Sequence, residues 1–391
     1  MSETIKKLTI EGFKSIRKLD DFELRSLNVL IGANGAGKSN FVEFFRLLRE
    51  IIDGKLQLAV GRAGGVDVFL HFGPKYTSRI VAKLYFSEAG YEFKLVPTED
   101  NRLIFAEEMV LYDWKNERRK SLGAGHAETR LKDFADHGLL PLHVVEAASS
   151  WIVYHFHDTS ATAGVRREKQ INDNMYLRPD AENLAAFLYR VRKVEPPIYA
   201  MIRDVVRLAA PFFDDFELRP VPTNPELIRL EWLQEGSDRP FLTSQLSDGT
   251  LRFICLATAL LQPSPPSTML FDEPELGLHP YALTLLANLF QQAAQLGRQV
   301  IVSTQSAQLL NEFAPEDVIV VERSQGESVF QRLNSTQLSG WLEDYTLGEL
   351  WQKNVLGGGP RNEKMPLPSN GDEHASVAPH KEEASAGDER S

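Results

Sequence analysis

The chain has 391 residues, 43% hydrophobic and 25% charged, the make-up of a soluble globular protein long enough for one large domain or two to three modest ones. A formal net charge of −11 argues against a surface whose main business is coating nucleic acid, while leaving room for a local basic groove. The single cysteine, Cys255, excludes an internal disulfide framework and fits a reducing cytoplasm.

The first stretch, "MSETIKKLTIEGF", lacks the apolar region of a secretory signal. Apolar, β-branched content predicts strands over 5–10 and 27–31. "NFVEFFRLLREIID" predicts a helix over 40–53, because Phe41, Phe44, Phe45, Leu48 and Ile51/Ile52 recur at helical spacing. From 78 to 114, apolar segments alternate with turn-rich gaps, as in an antiparallel meander. Residues 115–147 read as loops with short helices, and "WIVYHF", 151–156, as a strand.

Further helices are expected at 180–192, capped by Asp180, and at 197–210, with strands over 216–234. A helix should then follow Ser247 and run through Leu261, followed by the strand "TMLF", a helix at 280–296 and the strand "QVIVST". The longest apolar run, near "FICLATALL", is far short of the roughly 20 residues of a membrane span. Strands alternating with helices at both ends of the chain predict one parallel α/β sheet. The division expected is an α/β domain from 1–114 and 236–356, an inserted lobe at 115–235, and a disordered tail at 357–391 with almost no apolar residues.

"IGANGAGKSN", 31–40, sits where the second strand hands over to a helix. Gly32, Gly37, Lys38 and Ser39 have the spacing of a phosphate-binding loop, and both flanks are of the required kind. Glycines let backbone N–H groups turn inward around phosphate oxygens, and the following helix adds its positive end. Lys38 would reach the β- and γ-phosphates, and Ser39 would offer a ligand to Mg²⁺. The plainer alternative is a glycine-rich strand–helix turn with a chance lysine. "STMLFDEPELGLHP" supplies the acids such a loop needs: Asp272 at a strand tip for Mg²⁺, and Glu273 to order and polarise the attacking water.

"QLSDGT" places Leu246, Ser247, Asp248 and Gly249 directly before a helix. Alone this is an ordinary helix cap. In register with the other motifs, together with "LTIEGFKSI" (8–16) and "WLEDYTLGELWQKNVLGG" (341–358), it resembles the RecF/SMC-like group of ABC-class ATPases, which overlaps the AAA-type predicted bacterial ATPases. The resemblance covers residues 1–355. It implies a P-loop NTPase with an ABC-type head, an antiparallel β subdomain and an inserted helical lobe.

For the site, the resemblance implies an ATP cradle of Asn34, Gly35, Ala36, Gly37, Lys38, Ser39 and Asn40, with Ser39 and Asp272 on the metal and Glu273 catalytic. It further implies that Ser247, Asp248 and Gly249 bind the γ-phosphate of a second copy, making ATP the glue of a head-to-tail homodimer. DNA and a separate effector or repair protein are its implied partners, in the cytoplasm and away from the membrane. The group usually carries a histidine after its fifth strand; here "VSTQS" puts Gln305 there, which can bond water or phosphate but cannot become cationic. An ATP-binding transporter subunit and a non-hydrolysing nucleotide switch are the rival readings.

Weaker signals are read plainly. Gln57 is a candidate for the family's glutamine loop or a helix-surface residue. Lys14 and Ser15 approach the nucleotide by resemblance, or form a solvated loop. His155, His157 and Asp158 have metal-like composition, yet no further histidine or cysteine nearby completes a set. "GVRREKQ" (164–170), basic enough to touch a phosphate backbone, reads rather as a solvated loop, and Arg190, Arg192 and Lys193 as cations favoured at a helix carboxyl end.

Overall fold

A computed structural model of the chain describes residues 4–87, 89–113, 118–137, 145–146, 149 and 151–359. Strands β1 (Lys7–Phe13) and β2 (Ile16–Glu23) form an antiparallel hairpin whose turn holds Lys14 at φ 48°. Strand β3 (Leu27–Ile31) is buried at every residue, which suits its unbroken apolar sequence. Helix α1 (Lys38–Ile52) follows, burying Phe41, Phe44, Phe45, Leu48, Ile51 and Ile52 on one face as their spacing predicts. It begins two residues earlier than expected, so Lys38 and Ser39 lie in its first turn, where backbone N–H groups have no partner inside the helix.

Strands β4 (Ile80–Tyr85), β5 (Gly90–Pro97), β6 (Leu103–Asp113) and β7 (Arg118–Gly123) join the hairpin in a six-stranded antiparallel sheet, ordered β2-β1-β4-β5-β6-β7. The expectation for 115–147 lies partly outside the described residues; within them are β7 and a short helix, Leu131–Asp136. Strand β8 (Trp151–Tyr154), expected in the inserted lobe, instead pairs in parallel within the second sheet. Its Trp151, Val153 and Tyr154 are buried, and an apolar strand of this kind needs cover on both faces.

Residues 169–242 hold β9 (Lys169–Gln170), β10 (Phe213–Glu217), β11 (Pro220–Val221), β12 (Asn224–Ile228), β13 (Glu231–Gln234) and β14 (Phe241–Leu242), in two small antiparallel sheets, with helices Leu184–Val194 and Pro196–Ala209. The first of these helices starts at Leu184, not at the expected Asp180 cap. Ala181 takes φ 55°, which breaks the helical run, and Asp180 accepts the Glu182 N–H (3.1 Å).

Strands β15 (Thr268–Asp272), β16 (Gln299–Ser303), β17 (Val318–Ser324) and β18 (Glu327–Arg332) complete the second six-stranded sheet, ordered β18-β17-β3-β16-β15-β8. All of it is parallel except β18. Alternate residues divide its core in two. Leu30, Leu270, Ile301 and Ile319 pack with α1 and the antiparallel sheet, while Val29, Phe271, Val302 and Val320 pack with the helices on the other face. Parallel pairing brings the carboxyl ends of β3, β16 and β15 to one edge, where open α/β sheets hold their ligands. Residues 357–359, expected in the disordered tail, are ordered against that edge; the rest of the tail lies outside the described residues.

Candidate functional site

The turn Gly32–Gly37 leaves β3 and delivers Lys38 onto α1. Its shape is fixed from outside. Ser328 Oγ on β18 donates to the Ala36 carbonyl (2.6 Å) and lies 2.7 Å from Ser15 Oγ, which accepts from Asn40 Nδ2 (2.6 Å). A Cβ at Gly37, whose φ is 113°, would run into Ser328 Oγ, so the close approach and the backbone both require glycine. Ser15 therefore sits at the loop rather than in solvent, while Lys14 pairs with Glu43 of α1. Asn34 and Gly35 form the exposed crest, where the Gly35 carbonyl accepts from Arg323 Nη1 (3.2 Å).

Lys38 is buried, with Nζ donating to the carbonyls of Gly32 (2.6 Å) and Ala33 (3.2 Å). Burial lowers its pKa, against the opposing pull of the carboxylates of Glu273, Asp272 and Glu275. The sheet order explains that encounter: β16 separates β3 from β15, Asp272 ends β15, and Glu273 and Glu275 follow it. Ser39 is exposed in the first turn of α1. Asp272 Oδ1 is shut off from solvent with no hydrogen-bond partner among the described residues. An orphaned carboxylate oxygen and a serine hydroxyl are hard oxygen donors, so these residues fit Mg²⁺.

Glu273 takes φ 43°, a left-handed conformation that costs a non-glycine residue roughly 1 kcal/mol or more, and its N–H donates to the Ser303 carbonyl (2.7 Å). Gln305, just beyond β16, donates its side-chain amide to Glu273 Oε1. The structure adds Glu275, which the sequence reading did not single out. Its Oε1 accepts from Thr304 Oγ1 (2.7 Å) and from the Gln305 N–H (2.8 Å), and burial raises its pKa. Its signal was visible as the third acid of "DEPE".

Ser247 caps the helix Asp248–Leu261, accepting the Thr250 N–H (3.1 Å). Among the described residues no hydrogen bond or ion pair joins Ser247, Asp248 or Gly249 to the phosphate loop of the same chain. Gly249 packs instead on Gly277, whose carbonyl a Cβ would strike. Two arginines hold this region. Arg166, expected in a solvated loop, has a buried side chain: it donates to the carbonyls of Thr159 (2.8 Å) and Thr243 and to Asp248 Oδ1 (2.7 Å). Arg252 donates to the carbonyls of Phe156 (2.9 Å), His157 (3.1 Å) and Leu276, tying the helix to the turn after Pro274.

Gln57 spends its amide on the carbonyls of Leu103 and Ala127 (both 2.7 Å), joining its helix to the antiparallel sheet. No group of histidine, cysteine and carboxylates suited to a metal occurs among the described residues, and burial lowers the His155 pKa. His157 lines a small cleft with Asp272, Glu273 and Arg252. Arg192 is not a simple helix-end cation; it donates to the carbonyls of Phe216 (3.4 Å) and Leu218 (2.6 Å).

Solved structures share this fold. An SMC head solved with the C-winged helix domain of ScpA is similar over 85% of this chain and 99% of its own length, with TM-score 0.59 and 19% identity. An SMC head with an extended coiled coil, bound to the C-terminal domain of ScpA derived from Pyrococcus furiosus, matches over 88% and 99% with TM-score 0.51 and 17% identity. At such identity the likeness is one of fold. A "Putative ABC transporter ATP-binding protein" of Methanosarcina acetivorans is 25% identical over 127 residues, 30% of this chain; the match spans only 45% of that relative's length. The family described as "AAA domain, putative AbiEii toxin, Type IV TA system" matches residues 27–311, from β3 past Gln305. The chain belongs to that AAA-domain family and is a P-loop ATPase with an ABC/SMC-like head fold.

Proposed function

We propose that the protein binds ATP with Mg²⁺ between residues 32–39 and Asp272, that the γ-phosphate draws two copies together head to tail, and that Glu273 promotes hydrolysis. The observation that carries this reading is that Lys38, buried behind the turn after β3, lies at the same sheet edge as Asp272 and Glu273 at the end of β15. Lys38 and the free N–H groups opening α1 bind the phosphates. Glu273 takes the proton of a water whose oxygen attacks the γ-phosphorus, the bond to the bridging oxygen breaks, and ADP and phosphate leave. Mg²⁺, held by Ser39 and Asp272, supplies charge neutralisation at the phosphates.

The exposed Ser247, capping a helix that makes no bond to its own phosphate loop, supports a role on the nucleotide of another copy. The output, carried over from the resemblance, is DNA repair or genome defence with a separate effector, in the cytoplasm. The decisive experiment measures particle size of wild type and Glu273→Gln with ATP, with and without duplex DNA. Expected is an ATP-trapped dimer of the variant; a monomer at saturating ATP overturns the shared-site mechanism.

A second reading, a nucleotide switch with little turnover, draws on Gln305, whose amide already engages Glu273. Steady-state phosphate release with and without DNA separates the two. The transporter reading draws only on the name of the Methanosarcina relative, and co-purification with a polytopic membrane protein would favour it.

A further inference from the structure

The helix Leu347–Gln352 and the run that follows it touch both sides of the nucleotide cleft. At one end, Gly348 lies so close to the turn after Gln305 that a Cβ would strike the Ala307 carbonyl, and its N–H donates to Asn311 Oδ1 (2.6 Å). At the other end, the Gly358 carbonyl accepts the Ala33 N–H of the phosphate loop (2.6 Å). The Gly358 N–H donates to Glu322 Oε1 (2.6 Å), and the Gly359 N–H to Asn354 Oδ1 (2.9 Å). Gly358 takes φ 75°, and a Cβ there would sit 3.0 Å from Val320 Cγ1 and 3.3 Å from Gly32 Cα. A side chain is thus opposed both by the backbone conformation and by the loop it rests on.

We propose that residues 347–359 form a clip belonging to the nucleotide site, with Gly358 as its positioning residue: it fixes the first turn of the phosphate loop through the Ala33 N–H and ties that turn to the segment carrying Gln305. This rests on the nucleotide reading above. Lys38 holds the carbonyls of Gly32 and Ala33 from inside, and the clip holds the Ala33 N–H from outside. With both held, the loop meets the phosphates already shaped, and binding need not order it.

The test compares full-length Gly358→Ala with Gly297→Ala, a control of similar φ (82°) whose Cβ meets nothing within 4 Å. ATP affinity is measured by titration, and amide exchange over residues 32–37 is followed without nucleotide. Expected for Gly358→Ala is an affinity about fivefold weaker, the size of one lost backbone hydrogen bond, with faster exchange at Ala33 and unchanged exchange in α1. Gly297→Ala should lose thermal stability but keep both readouts. If Gly358→Ala binds and exchanges like wild type, the clip is overturned and the nucleotide reading stands. If wild type binds no ATP, both fall. Should the variant not fold, wild type still decides: rapid exchange of its Ala33 amide without nucleotide overturns the clip.

Discussion

Gln305 and Glu273 are bonded to each other. The glutamine side-chain amide donates to Glu273 Oε1, while its backbone N–H is held by Glu275 (2.8 Å). The residue standing where the family usually has histidine therefore aims the carboxylate proposed as base, and Glu275 aims the glutamine. Gln305→Ala is expected to lower turnover roughly tenfold with ATP affinity retained, and Glu273→Gln roughly a hundredfold or more. Phosphate release under saturating ATP checks both; unchanged turnover in Gln305→Ala would leave the contact a packing detail.

Lys38→Met keeps the length and apolar stem of the side chain and removes its charge. ATP affinity should fall by roughly 10- to 100-fold, as expected for losing charge-assisted bonds to phosphate. The rise in melting temperature that ATP gives wild type should disappear with it. Calorimetric titration beside thermal scans reads both effects. Undiminished affinity would mean that the loop is not the phosphate site.

Arg166→Ala removes the donor to the Thr159 carbonyl and the Asp248 carboxylate, and leaves the Thr243 carbonyl with the Leu246 N–H alone. The cost should be roughly 1–3 kcal/mol of stability, seen as a lower denaturation midpoint. ATP binding to the monomer should persist while ATP-driven dimerisation weakens, because the turn presenting Ser247 loses its brace. Arg166→Lys should rescue poorly, since one ammonium cannot serve the separate acceptors that the guanidinium fork reaches.

Glu275 carries a pH signature. Burial raises its folded-state pKa above the ordinary value of 4.5, so the fold favours the protonated form. Its contribution to stability is therefore fully present below 4.5 and is lost as pH rises through the folded pKa. Glu275→Gln, neutral at every pH and able to accept the same two bonds, should gain a few degrees in melting temperature over wild type at pH 8 and nothing at pH 4. Scans at the two pH values decide it; an equal shift at both would remove the ionisation argument.

Several elements were legible because their causes are local. The apolar spacing of α1, the unbroken apolar runs of β3, β15 and β16, and the glycine–lysine spacing between strand and helix are written within a dozen residues each. They were enough for the sheet class and for the placement of Lys38, Asp272 and Glu273. The 180–192 helix was misjudged at its start because an aspartate before an apolar run is a cap only if the backbone after it stays helical, and Ala181 does not.

What the sequence could not show depends on residues far apart in the chain. By itself it determined the glycine–lysine turn between strand and helix, the acids closing an apolar strand, the serine-capped helix and the alternation of strands and helices, because short-range periodicity and backbone freedom decide these. Only the tertiary structure decided that β8 completes the parallel sheet, that Ser328 and Gly358 brace the loop, and that Arg166 and Arg252 hold the helix behind Ser247. Each of those rests on a backbone carbonyl or N–H finding a partner across the fold, and such groups are the same in every residue, so no sequence pattern announces them.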